Sequence, residues 1–177
     1  LINFKDLETS FGPIQKMHSR ETDILTLQED KISYVLANKD LISDSSGTGQ
    51  IIAVPLILGQ QIARIEEYGI SFNPESFVSW GKDFYFTDTK RGAVIKLTGT
   101  SKKTDAIEII STYGMRSYFR DSFASQIDTQ KLGGYDPYMD EYVLNNNPNT
   151  VIDTSINIEC GTLISQTNKT GAYTFTV

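Results

Sequence analysis

Cysteine occurs once in this chain of 177 residues, at Cys160, which excludes an internal disulfide framework and any multi-cysteine zinc site. Beside Gly161 in an expected strand, that thiol reads as a small hydrophobe. Histidine also occurs once, at His18, so no multi-histidine metal centre can be built. A Ser-His-Asp triad would have to use that ring, and no nucleophile-elbow pattern surrounds it. His18 reads as an ordinary surface or packing residue. Long apolar runs are missing as well: the longest, Ile51 to Leu58, is interrupted by Pro55 and falls far short of the roughly 20 residues of a membrane helix. No signal-peptide pattern is visible, and no membrane partner is expected. There is no long basic run, and a net charge of −6 argues against a dedicated nucleic-acid surface. Gly47-Thr48-Gly49 lacks the lysine and the following serine or threonine of a phosphate loop and reads as linker. No cofactor is expected.

Aromatics are plentiful, with nine Tyr and nine Phe, as suits large side chains on pleated sheets. The stretch Phe77 to Leu97 organises the reading. Two β-type runs, Phe84-Tyr85-Phe86-Thr87-Asp88 and Ala93-Val94-Ile95-Lys96-Leu97, flank the polar loop Thr89-Lys90-Arg91-Gly92. Gly92 supplies the positive φ such a loop needs. A shorter run, Phe77-Val78-Ser79-Trp80, ends at the turn Gly81-Lys82-Asp83. Together these predict a three-stranded antiparallel meander, with Phe84 and Phe86 on a buried face. Meanders build propeller blades, and equally sandwiches or barrels.

Similar hairpins are expected at 23–36, around the turn Gln28-Glu29-Asp30-Lys31, and at 132–144, around an acidic turn at 136–141. The frame Ile-x-x-Tyr-Gly-(Ile/Met) occurs at Ile65–Ile70 and again at Ile110–Met115, a spacing of about one four-stranded blade. Tyr68-Gly69 and Tyr113-Gly114 are therefore expected at equivalent places in adjacent β units. Residues 1–20 look irregular, and 39–50 read as a mobile polar loop. Met115 to Ile127 is the best helix candidate, with Phe119, Phe123 and Ile127 four residues apart. Asn145-Asn146-Asn147-Pro148-Asn149 reads as a linker. The runs 156–161 and 172–177 look like strands of a further unit. The fold class expected is mostly β: partial propeller-like antiparallel meanders over 1–147 with an inserted helix, then the start of a second β domain over 148–177. The chain begins without methionine and stops within a strand-like run, as a segment of a longer polypeptide does.

Chemistry is sparse. Asp136, Asp140 and Glu141 lie within six residues and suggest either a calcium ligand set or a hydrogen-bonded turn, the latter favoured because calcium-loop glycine spacing is missing. They are poorly placed to flank a sugar as a glycosidase pair. Lys90 and Arg91, with Lys96, Lys102 and Lys103, form a locally basic patch that either touches phosphates or keeps hairpin tips soluble, the second being preferred. Asn168-Lys169-Thr170 is a sequon, meaningful only in a eukaryotic secretory setting. No catalytic, cofactor-binding or metal-binding residue is assigned, and the chain is not expected to be an enzyme.

Three stretches, EEYGISFNPESFVSWGKDFYFTDTKRGAVIKL, YGMRSYFRDSF and GGYDPYMDEYVL, resemble tail-associated proteins of crAss-like phages that infect Bacteroidetes. In that group a propeller-bearing protein forms the muzzle or nozzle at the tail end. The similarity spans about residues 14–146, and the part after Pro148 resembles only the opening of a following β domain. The resemblance implies a virion structural protein with other tail subunits as partners, a homo-oligomeric ring, and a pore that DNA crosses without specific binding. A rival reading is a carbohydrate- or protein-binding extracellular propeller, with Trp80, Tyr85 and Tyr138 stacking on sugars. Three blades cannot close a ring, so the segment alone is not expected to be an autonomous folding unit.

Overall fold

The computed structural model describes residues 4–43, 49–102, 104–151, 166–168 and 171–173, with side chains described over 4–37, 57–102 and 104–146. The fold is mostly β, in antiparallel sheets, with one α-helix among the described residues. A first four-stranded sheet runs in chain order through β1 (Ile14–Ser19), β2 (Asp23–Gln28), β3 (Ile32–Ser43) and β4 (Gly49–Ala63). A second is formed by β5 (Val78–Trp80), β6 (Asp83–Asp88), β7 (Ala93–Thr98) and β8 (Ala106–Ile109). Helix α1 (Arg116–Ser125) follows, then the hairpin of β9 (Thr129–Asp136) and β10 (Glu141–Val151). A short ribbon, β11 (Gln166–Asn168) with β12 (Gly171–Tyr173), ends the described chain.

Alternation explains how the sheets meet. On β2 and β3, Leu25, Leu27, Ile32 and Tyr34 share one face; on β6 and β7, Phe84, Phe86, Ile95 and Leu97 do the same. These two faces close on each other to form one apolar core, which Ile70 joins from the connection between the sheets. Phe86 and Ile95 are paired across the strands and fully buried. The other face of β6 carries Tyr85 and Thr87, also buried, and β9 lies near it. The second sheet is therefore covered on both sides. The turn after β2 meets the turn after β6, so β2 and β6 run in the same direction and the two meanders stack in the same sense.

Gly92 combines both properties of its type. Its φ of 64° fits the β6–β7 turn, and an added Cβ would lie 2.6 Å from the Arg120 Cα, so only glycine lets α1 rest on that turn. The helix covers less than its periodicity suggested: Phe123 is buried, while Tyr118 is 61% exposed.

Several sequence expectations need correction. The N-terminal stretch is not irregular throughout, because 14–19 form the edge strand β1; its polar, mostly exposed residues hid the strand pattern. The region 39–50 is no simple loop: β3 continues to Ser43 and pairs with β4 from Gly49 onward, and only 44–48 lie outside the described residues. The linker expected at 145–149 is part of β10, which runs to Val151. Pro148 is tolerated because it falls in the register shift between Asn146 and Val151, where no ladder donor is needed. Tyr68-Gly69 and Tyr113-Gly114 each follow the fourth strand of a sheet, yet their surroundings differ. A Cβ on Gly69 would lie 2.2 Å from the Glu29 carbonyl oxygen, whereas Gly114, at φ 76°, faces open space. The expected strand at 156–161, Cys160 and the end of the run 172–177 lie outside the described residues.

Candidate functional site

A stack of aromatic rings, exposed at its Trp80 end, lies where the β5–β6 turn meets the β9–β10 hairpin. Trp80, at the end of β5, stacks on Tyr135 of β9 with ring centroids 5.3 Å apart and planes 21° apart. Tyr135 stacks in turn on Tyr85 at 5.6 Å, and Tyr85 on Tyr142 of β10 at 5.2 Å. Four rings thus form a continuous ladder that ties the hairpin to the second sheet. Gly133 allows the close approach, since a Cβ there would lie 2.2 Å from the Ser76 carbonyl oxygen and 2.9 Å from the Tyr142 hydroxyl. The Tyr142 hydroxyl donates to that same Ser76 carbonyl at 2.7 Å. Burial pushes its ionisation well above the ordinary tyrosine range. The Tyr135 hydroxyl donates to Asp140, whose carboxylate pushes the phenol up to about 12. Both phenols therefore stay protonated at neutral pH.

Of the three aromatics expected to meet sugars, the structure exposes two. Trp80 is 51% and Tyr138 91% exposed, but Tyr85 is only 8% exposed, covered by Tyr135 and Tyr142. Tyr85 is therefore a packing residue. Tyr135 and Tyr142 were not anticipated, because β9 and β10 join the second sheet through tertiary packing that no local pattern announces.

Asp136 and Asp140 work as turn residues. Asp136 Oδ1 accepts the N–H groups of Tyr138 at 2.9 Å and Met139 at 3.4 Å, and Asp140 holds φ 57° while accepting from Tyr135. Glu141 is exposed at the start of β10. Among the described residues no group of three His, Cys, Asp or Glu is placed to hold a metal ion.

Lys90 and Arg91 of the basic patch meet carboxylates of the neighbouring sheet. Lys90 pairs with Glu29 and, at 3.1 Å, with Asp30; Arg91 reaches Asp30 at 3.4 Å and the buried Asp88 at 3.0 Å. The Glu29 carboxylate holds the Lys90 ammonium above its usual range. Asp88 also accepts the Gly69 N–H at 3.0 Å and the Ser71 hydroxyl at 2.7 Å, locking the connection between the sheets. Lys96 pairs with Asp83 at 3.1 Å, and Lys103 lies outside the described residues. Lys90 and Arg91 thus join the two sheets, while Lys96 pairs within the second.

A second polar clamp closes the opposite end of the core. Arg20 donates to both carboxylate oxygens of Asp105 at 2.8 Å and from Nε to Asp23 at 2.8 Å. Its guanidinium lies 4.9 Å from the centre of the Tyr34 ring. The Tyr34 hydroxyl accepts from Arg64 at 3.0 Å, and burial with Asp105 nearby pushes its ionisation far up. His18 packs edge-on against Phe84 at 5.1 Å and tilted against Phe77 at 5.6 Å. Burial first, then the charges of Arg20 and Lys16, holds its imidazole below the usual value, which fits a packing residue. Lys131 is fully buried, donating to the Thr129 carbonyl at 2.7 Å and to the Gln126 carbonyl; burial lowers its ionisation. An open cleft of about 390 Å³ beside Lys5, Asp6, Glu8 and Phe11 is of mixed charge.

No family model, no curated protein and no solved structure matches this chain. Among the described residues, no helix is long and apolar enough to cross a membrane.

Proposed function

We propose that this chain is a structural, assembly-forming segment of a tailed-phage virion protein, its sheets serving as propeller blades in the distal tail, the muzzle or nozzle. The observation that carries the reading is repetition: two four-stranded meanders of identical strand order stack in the same sense, and a third hairpin continues the stack. Blades of a propeller are such meanders, stacked face to face around an axis. The resemblance of the stretches within 65–144 to muzzle-type proteins supplies the virion context. Other copies and other tail subunits are the partners, and a ring of copies encloses a pore that DNA crosses without specific recognition. Pairing of Lys90 and Arg91 with carboxylates fits a passive lining. An antibody against this chain, applied to purified particles and viewed by electron microscopy, should label the distal tail. Label on the capsid, or none on particles that contain the chain, would refute the assignment.

A second reading, a glycan- or protein-binding propeller module, is favoured by the half-exposed Trp80 beside the ordered Tyr138 turn. Trp80 is the only tryptophan, so its emission reports directly on stacking at that face. Glycan-array binding that disappears in Trp80→Ala supports this reading. An unchanged array pattern in that variant removes it.

A further inference from the structure

Lys131 is fully buried, although a lysine almost never is unless an opposite charge pairs with it. Among the described residues its hydrogen-bond partners are all neutral: the Thr129 carbonyl at 2.7 Å, the Thr129 hydroxyl at 2.9 Å and the Gln126 carbonyl. Phe123 closes the site, its ring centre 5.8 Å from Nζ. Desolvation holds the ammonium below the ordinary lysine range, against the opposing charge of Asp128, and so raises the share of free amine. A lysine desolvated in apolar surroundings is an activated nucleophile.

An electrophile stands opposite. Lys131 of β9 and Asn146 of β10 are Cα partners in the antiparallel ladder, so both side chains leave the same face, with Cβ atoms about 5 Å apart. They are the last regular pair before the register shift in β10. Thr129 Oγ1 touches both, at 2.9 Å from Lys131 Nζ and 2.9 Å from Asn146 Oδ1; it also lies 2.9 Å from the Gln126 carbonyl oxygen. The Asn146 Nδ2 donates to Gln126 Oε1, which fixes the orientation of the amide. Amine, hydroxyl and carboxamide thus stand in one chain of hydrogen bonds, largely withdrawn from water.

We propose that Lys131 and Asn146 form an intramolecular isopeptide bond that joins β9 to β10. The free amine attacks Asn146 Cγ, and the Thr129 hydroxyl, aimed at Oδ1, stabilises the negative charge that develops there. That hydroxyl takes a proton from the attacking Nζ and passes its own to Oδ1. As the adduct collapses, this proton leaves with Nδ2. The Nζ–Cγ bond forms, the Cγ–Nδ2 bond breaks and ammonia departs, with no oxidant or cofactor consumed. The link pins the hairpin where its regular ladder ends, and it is independent of the virion assignment.

Intact-mass spectrometry of the folded, full chain tests it. The native chain should be lighter than its sequence by one ammonia. Chymotryptic digestion should then yield one branched peptide that carries both Lys131 and Asn146. Lys131→Met should keep its full mass, and Asn146→Asp should link with loss of one water instead. Thr129→Val should leave most chains unlinked and Thr129→Ser should restore the link, with Trp80 emission reporting that each variant is folded. Full native mass after prolonged incubation of the folded chain overturns the proposal. Loss of ammonia without the branched peptide marks ring closure at Asn146 alone and overturns it too. The native mass and digest decide even where a substitution unfolds the chain.

Discussion

Replacing Arg20 by alanine should destabilise the fold by about 3–5 kcal/mol, the range for orphaning a buried charge. The geometry sets the size. The Arg20 side chain is 3% exposed and its partners Asp23 and Asp105 are 1% and 0% exposed, so the small values of surface ion pairs do not apply. In its absence two carboxylates stay buried. Asp23 keeps the Lys102 N–H at 3.0 Å, but Asp105 loses a two-pronged partner. The stacking of the guanidinium on Tyr34 is lost as well. The triple variant Arg20→Met, Asp23→Asn, Asp105→Asn should cost less than Arg20→Ala alone, because no charge is then stranded. Urea titration read by Trp80 emission, at one fixed protein concentration because assembly shifts the midpoint, measures both. A loss below about 1 kcal/mol for Arg20→Ala, or a triple variant weaker than the single, would refute the clamp.

Phe86→Ala empties a fully buried site in the inter-sheet core and should cost about 3–5 kcal/mol in the same titration; a loss under about 1 kcal/mol would contradict the packing. Gly133→Ala drives a methyl group into the Ser76 carbonyl, so it should cost about 1–3 kcal/mol and red-shift Trp80 emission as the hairpin lifts from the ladder. His18 is held below its ordinary value in the fold, so the unfolded chain binds the proton more readily. Stability should then fall as pH drops through about 6.5, and His18→Gln should flatten that slope; an unchanged slope removes His18 from the account.

Much of the fold was legible because local chemistry and tertiary role agree. The hairpins at 23–36 and 132–144 and the meander at 78–98 show period-two alternation and turn residues, and Gly92 sits where the chain turns left-handed. Helix α1 matched its four-residue aromatic spacing. What was hidden depends on contacts distant in sequence. Arg20 and Asp105 are 85 residues apart, and neither carries a local sign of its partner. Lys90 and Arg91 looked like free basic charge because Glu29 and Asp30 belong to another sheet. Strand β1 is an exposed edge, so its polar composition mimics a loop. The Ser- and Gly-rich composition of 39–50 hid the pairing of β3 with β4 across 39–43 and 49–53. The carboxylate turn was legible as a turn, since Asp136 before Pro137 caps the following N–H groups as its type does.

A cryo-electron microscopy map of the assembled protein, at a resolution that separates strands, tests the central claim most directly. The account predicts the sheets of 14–63 and 78–109 as adjacent radial blades around a common axis, with the 129–151 hairpin in the next blade and copies arranged in a ring. A monomer in which the two sheets form a closed sandwich, with no further sheet stacked beyond Tyr85 and Tyr142, would contradict it.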